Sequence, residues 1–326
     1  VRGREASNVW GSALTLLLTC VTHDFVVQAS DRRLTFLNGK IAEEVANKAT
    51  LFGNAGNFAF TGLSRCSHRE TSDELLMRCL SVTNLPLVDL LEGLAKSAAR
   101  DIRNLPLSVR PRDRRAVRRT SFVGAGYVGV KYPGRFNLPD SSDELQTFLC
   151  VVSNAQDLSE AWREEADQEF SVHLGWLPPE RSHMLHVAGQ PLLTQERVQL
   201  ERGLRKALGR VTHPEPIARL LTRAVRQVSA RNVTVGPNVM CTMTRRANVR
   251  DKGNISLGGG LIPIAPGYQS EASYFHRARG GTSGPARWIY SPADSSAADH
   301  YGPNYASSAM MMKGMYFGRQ EPSNSS

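Results

Sequence analysis

A chain of 326 residues with 41% hydrophobic and 21% charged side chains can bury one large core or two ordinary ones, which excludes wholesale disorder. No apolar run approaches the roughly 18 residues of a membrane span, and Arg2 and Arg4 are followed by Glu5, Ser7 and Asn8, not by the apolar stretch of a secretory signal. The net charge of +10, carried largely by arginine, speaks for solubility and non-specific attraction to polyanions more than for a defined binding site.

Residues 1–12 carry no pattern and read as a leader. Leu14–Cys20 and Phe25–Ala29 are two apolar, β-branched runs around Thr22-His23-Asp24, which predicts a hairpin even though its turn lacks glycine. A second pair, Ala49–Phe52 and Phe58–Thr61, flanks the turn-rich Gly53–Asn57. Helical spacing runs from Ser72 to Asn104, with Ser72-Asp73-Glu74 as an acidic start and Leu90, Leu91 and Leu94 on one face. Pro86 divides it in two, because proline lacks the backbone donor and clashes with the preceding turn. Six arginines between Arg110 and Arg119 predict an exposed basic loop. Strand-like runs resume at Thr120–Gly124, Thr147–Val152, Phe170–Leu174 and Met184–Ala188. Two helices follow, Thr194–Leu208 and one opening near Pro214-Glu215-Pro216 with Ile217, Leu221 and Val225 on one face. A last strand covers Asn238–Thr244.

Beyond 245 the glycine, serine and proline content predicts an irregular C-terminal extension over 246–326. Its aromatics, among them Tyr274, Trp288 and Tyr305, imply that parts of it dock on the body or a neighbour. The order of strands, helix pair, strands, helix pair and strand predicts an α+β sandwich with segregated helices. No glycine-rich phosphate loop opens a helix: Gly124-Ala-Gly126 follows a strand, but the rest of that fingerprint is missing, and no cofactor is expected.

Five cysteines, Cys20, Cys66, Cys79, Cys150 and Cys241, stand singly without CxxC or Cys/His ligand spacing. Neither a disulfide framework nor a zinc site is indicated, and a reducing, cytoplasmic setting is the default expectation. His183 and His186 fall on a predicted strand at odd spacing, which sends them to opposite faces, so no metal site is expected there either.

The residues that could carry chemistry lie near the front of the chain. Ser30-Asp31-Arg32-Arg33-Leu34-Thr35 follows the apolar strand, Thr15 lies sixteen residues before Asp31, Lys48 leads Asn47-Lys-Ala-Thr-Leu-Phe52, and Gly62 follows fourteen residues later. This series resembles the Ala-Asp-x-Arg-x-Thr signature and its neighbours in proteasome-type N-terminal-nucleophile hydrolases. The likeness spans roughly residues 13–244. It implies a four-layer αββα sandwich over 13–245 and a cytoplasmic homo-oligomer or ring. It also implies a threonine peptidase or amidohydrolase acting on a peptide or amide, with Thr15 as nucleophile once the leader is removed, Lys48 and Asp31 in support, and Gly62 as oxyanion donor. The chemistry is coherent. A terminal threonine's own α-amine, with an ordinary pKa of about 7.7–8, can take the hydroxyl proton. A lysine ammonium nearby keeps that amine neutral, an aspartate offsets the lysine's burial, and a glycine N–H faces the oxyanion.

Each residue also has a structural reading. Thr15 is a strand former, Asp31 and Arg33 could pair at a strand end, Lys48 could be a solvated strand-end lysine, and Gly62 could relieve a tight exit. The chain also departs from the family pattern. Leu14 precedes Thr15 where self-processing members usually have glycine. His186-Val-Ala-Gly-Gln190 replaces a Gly-Ser-Gly turn, so the supporting serine has no clear counterpart. Asn232 stands where active members carry aspartate, with Thr234 as a substitute for a supporting serine. The alternative implied by these departures is a catalytically silent, ring-forming or partner-binding scaffold. Nucleic-acid binding through Arg110–Arg119 is disfavoured, because that run carries no aromatic for base stacking.

Overall fold

The computed structural model describes residues 15–36, 39–44, 46–52, 56–67, 70–81, 85–107, 109–129, 145–209 and 214–246, together with the short segments 269–270, 286–291, 299–301, 304–306, 311–312 and 316–318. The expected leader, 1–12, lies outside the described residues.

The first hairpin joins β1 (Leu16–Thr22) to β2 (Phe25–Asp31). Its glycine-free turn is closed by a side chain: Thr22 Oγ1 accepts from the Phe25 N–H at 2.9 Å and donates to the Phe25 carbonyl at 2.6 Å. After the two short strands β3 (Leu34–Thr35) and β4 (Ile41–Glu43), a second antiparallel pair forms from β5 (Ala49–Phe52) and β6 (Gly56–Gly62). Helix α1 (Ser72–Leu80) opens on a capping interaction in which Glu74 Oε2 accepts from the Thr71 N–H at 2.8 Å. Helix α2 (Leu87–Arg103) starts directly after Pro86, where the missing amide hydrogen costs the helix nothing.

The arginine run differs from its expectation. Pro111–Asp113 forms a 3-10 turn and Arg114–Val117 a single helical turn, α3. Arg118 then donates to the Leu105 carbonyl and Arg119 to the Ala116 carbonyl, at 3.0 and 2.8 Å. Proline at the first position and cations near the last carbonyls are what a short helix needs, so part of the charge is absorbed locally. Strands β7 (Thr120–Gly129), β8 (Leu145–Ser153), β9 (Ser171–Trp176) and β10 (His183–Gly189) follow. Next come helices α4 (Thr194–Leu208) and α5 (Glu215–Arg231), and then strand β11 (Val239–Arg245).

Where composition predicts an irregular tail, the described parts hold short strands: β12 (Gln269–Ser270), β13 (Ala286–Ser291), β14 (Asp299–Tyr301), β15 (Asn304–Ala306), β16 (Met311–Met312) and β17 (Tyr316–Gly318). Of the two large sheets, one has the order β10-β1-β2-β11-β13-β12 and the other β16-β15-β5-β6-β7-β8-β9, while β3–β4 and β14–β17 form separate two-stranded sheets. Among the described residues every ladder is antiparallel except that of β15 with β5. Asn304 fixes that strand, donating to Asp73 Oδ2 at 3.0 Å and accepting from Asn47 Nδ2 at 2.8 Å.

Three apolar clusters hold these elements together. Phe58, Phe60, Phe122 and Phe148 of β6–β8 pack with Leu75, Leu76, Leu91, Leu94 and Ala98 of α1 and α2. Leu16, Leu18, Cys20, Val27 and Cys241 pack with Leu204, Ile217, Leu221, Val225 and Val228 of α4 and α5. A third cluster joins the two sheets: Leu17, Val21 and Val26 meet Ala59, Val123, Ala125 and Val151. Alternate residues of β1 therefore serve opposite clusters. A strand buried on both faces reads as a continuous apolar run, as Leu16-Leu17-Leu18 does. The fold is mixed α+β, with helices segregated from largely antiparallel sheets.

Truncating the fully buried Leu221 to alanine should lower unfolding free energy by about 2–5 kcal/mol in urea titrations, whereas Val233→Ala, at an exposed position, should change it by less than about 0.5 kcal/mol.

Candidate active site

Thr15 immediately precedes β1 and is fully buried. Its carbonyl is held from both sheets: the Gln190 N–H, just past β10, donates to it at 2.9 Å, and Thr61 Oγ1 of β6 donates at 3.2 Å. Antiparallel pairing of Leu16 with Gly189 brings β10 alongside. Gly189 has φ +81°, and a Cβ there would fall 1.8 Å from the Thr15 carbonyl oxygen, so only glycine fits.

Lys48 Nζ uses all three of its hydrogens. It donates to Thr15 Oγ1 at 2.9 Å, to Asp31 Oδ1 at 3.2 Å and to the Arg33 carbonyl at 2.6 Å. The solvated strand-end reading of Lys48 is thereby corrected, because the side chain is completely buried. That burial lowers its pKa, Asp31 opposes the shift, and Arg32 and Arg33 add to it. The ammonium therefore gives up a proton more readily than an exposed lysine, within hydrogen-bond reach of a hydroxyl.

Asp31 closes β2 and is equally buried. Oδ2 accepts from the Leu16 N–H at 2.9 Å. Oδ1 accepts from Lys48 and from the N–H groups of Arg33 at 3.0 Å and Gly236 at 3.1 Å. Four donors on one carboxylate are what a buried charge requires. The strand-end pairing of Asp31 with the Arg33 guanidinium does not form. That group pairs with Glu44, at 2.8 Å, and also donates to the Val233 and Val235 carbonyls. Arg32, only 1% exposed, donates through Nε to the Ala46 carbonyl at 3.0 Å, tying the end of β2 to the approach to Lys48.

Thr15, Asp31 and Lys48 thus meet in one hydrogen-bonded cluster. Gly62 follows Thr61, which touches Thr15, but its φ of +100° and the close approach of Arg119 are constraints of the strand exit. A Cβ at Gly62 would lie 2.0 Å from the Arg119 carbonyl oxygen. Asn232 Oδ1 accepts from both the N–H and the hydroxyl of Thr234, at 2.9 and 2.8 Å, forming the turn that leads to Gly236. The sequence singles out the 186–190 and 230–236 turns only through the family likeness, and it does not foresee the contacts that Thr61, Gly189, Gln190 and Gly236 make here, since distant strand pairing brings them together. A glycine closing a predicted strand, as Gly189 does, is the one local hint.

Among the described residues no group of three or more His, Cys, Asp or Glu side chains could hold a metal ion, and no helix is long and apolar enough to cross a membrane. His186 is buried. Desolvation, aided by Arg197, pushes its imidazole down to about 4.

No family model matches the chain, and no curated protein matches it. Among solved structures, eukaryotic HslV from Trypanosoma brucei is similar at 13% identity over 71% of this chain and 99% of that one, with a TM-score of 0.36. At that distance the site has to be read from its own geometry.

Three outcomes are expected. Lys48→Met should cost about 3–5 kcal/mol by stranding a buried carboxylate. In urea titrations the Asp31→Asn/Lys48→Met double variant should lose less than the sum of the single changes. For His186, the folded-state pKa lies below the unfolded value of about 6.5, so the unfolded chain binds the proton first. Stability should be full above pH 6.5 and fall by about 3 kcal/mol as pH drops towards 4, a loss that His186→Phe should remove in matched titrations.

Proposed function

We propose that this chain is a proteasome-like N-terminal-nucleophile hydrolase, a threonine-type peptidase or amidohydrolase acting through Thr15 after cleavage of the Leu14–Thr15 bond. The observation that carries the reading is the Lys48 ammonium set between Thr15 Oγ1 and Asp31 Oδ1 in a fully buried cluster. With Thr15 as chain terminus, its α-amine would take the Oγ1 proton as the oxygen attacks an amide carbonyl, directly or through a water. The charge developing on the carbonyl oxygen would face the Gly62 N–H, a donor type worth about 2.7–4 kcal/mol in such sites. The proton would pass to the leaving amine, and a water activated by the same α-amine would then release the acyl group from Thr15. Lys48 would hold the amine neutral by like-charge repulsion, with Asp31 fixing its position. No cofactor enters this chemistry.

The succession of helix–sheet, sheet–sheet and sheet–helix clusters supports a four-layer αββα arrangement for residues 13–245, with 246–326 as an extension. A cytoplasmic homo-oligomer or ring belongs to the same reading.

A catalytically silent scaffold is the second reading. Two observations favour it: Asn232 brings an uncharged amide to the turn beside the site, and Thr15 is fully buried.

Intact mass, N-terminal sequencing and turnover of a fluorogenic peptide decide between them. A mature chain beginning at Thr15, with both processing and turnover abolished by Thr15→Ala, is the expected result. A stable native oligomer that keeps Leu14 attached to Thr15 and turns over no amide would establish the scaffold.

A further inference from the structure

The strand that touches Thr15 at one end enters a cavity at the other. β1 and β10 pair from Leu16 with Gly189 to Thr22 with His183, which puts His183 roughly 20 Å along the ladder from the Thr15 cluster. There β8, β9, β10 and α4 line a half-open cavity of about 360 Å³, within the size range of small-ligand sites. Its apolar wall is made by Leu149, Leu158, Met184 and Leu185.

Its polar side is unevenly charged. Arg197 is held between Glu160 and Glu201. Arg205 reaches Glu201 only at 4.0 Å, and among the described residues nothing pairs with the Arg181 guanidinium. Three arginines against two carboxylates leave a surplus of positive charge, and the two arginines least engaged are both exposed at the rim. His186 also lines the cavity, and its buried Nε2 finds no hydrogen-bond partner among the described residues. That nitrogen has no exposed surface, so a bound anion would act on the ring through its charge and not by direct contact.

We propose that this cavity is a second ligand site, which takes a small anion with an apolar body. The head, a carboxylate or phosphate monoester, is held by Arg181 and Arg205, and the body lies against Leu149, Leu158 and Leu185. The site is independent of any chemistry at Thr15, since none of its residues belongs to that cluster. Cations are disfavoured by the surplus charge, and a purely apolar ligand would leave Arg181 unpaired and Arg205 with only Glu201, at 4.0 Å.

Titration calorimetry on the full chain with hexanoate, hexyl phosphate, hexanol and inorganic phosphate tests this. At least one of the two hexyl anions should bind about tenfold or more tightly than hexanol, and the better of them shows which head group is preferred. That anion should also bind tighter than inorganic phosphate, because the apolar wall contributes. Arg181→Gln/Arg205→Gln, at two exposed positions, should weaken it about tenfold, the loss of charge-assisted hydrogen bonds, and leave hexanol unchanged. Saturation should shift the His186 Cε1–H resonance, identified by its disappearance in His186→Phe. Hexanol binding as tightly as both anions, an unweakened double variant, or an unmoved His186 resonance would each overturn the proposal.

Discussion

The buried Asp31–Lys48 pair is the constraint around which this molecule is arranged. Removing two charges from water costs several kcal/mol per ion even after relaxation, so neither group could be left with unmet hydrogen-bonding capacity. Asp31 meets the requirement with the N–H groups of Leu16, Arg33 and Gly236. Lys48 meets it with Thr15, Asp31 and the Arg33 carbonyl. These partners come from the start of β1, the end of β2, the approach to β5 and the turn before β11. Four stretches of chain, as far apart as 205 residues, are thereby brought to one point. Two packed apolar side chains would join the same segments without the desolvation cost. Under the proposed hydrolase reading, the charges would serve the chemistry at Thr15; under the scaffold reading they fix the meeting point of these segments.

Precision at that point depends on the two sheets being locked to each other. Apolar packing between them is non-directional, and on its own it would not fix where Thr15 sits relative to β6. Polar cross-ties do so: Gln28 Nε2 donates to the Val123 carbonyl at 3.2 Å, Thr244 Oγ1 donates to Asn57 Oδ1 at 2.6 Å, and Thr61 Oγ1 donates to the Thr15 carbonyl. Each is buried, so each would be expensive to break. A threonine held through its carbonyl from one sheet by Gln190 and from the other by Thr61 retains little freedom beyond its own side chain. The proposed nucleophile role would require such positioning by rigid elements.

Much of this was legible in the chain, for identifiable reasons. Helix periodicity located α1, α2, α4 and α5, because each buries one stripe against a sheet and exposes the other. Thr15, Asp31 and Lys48 were legible because they lie within 34 consecutive residues at a recognisable spacing. The contacts of Gly189 and Gly236 were not, since these turns reach the cluster only through pairing of β10 with β1 and β11 with β2. The buried Arg32 ran against the ordinary rule that arginine stays at the surface. Three-residue β15 carries too little pattern to announce a parallel insertion beside β5, which its ladder, the buried Ala306 and the Asn304 contacts to Asp73 and Asn47 hold in place.

The departure at Asn232 can be weighed in the same physical terms. Its amide oxygen accepts from the N–H and hydroxyl of Thr234, which shapes the turn delivering the Gly236 N–H to Asp31. An aspartate there would present the same acceptor, so the asparagine preserves the turn and removes only a negative charge. Nor does Gln190 interrupt the frame, because its backbone N–H still holds the Thr15 carbonyl. Neither residue disturbs the Thr15–Lys48–Asp31 geometry, and Asn232 leaves out the charge that an aspartate would add to the field around it. A field acts on the proton affinity of a nucleophile's base, and hence on rate, without being needed for folding. A hydrolase and a silent scaffold can therefore share this architecture down to the hydrogen bonds. What separates them is whether the Thr15 nitrogen remains an amide or becomes a free amine beside Lys48.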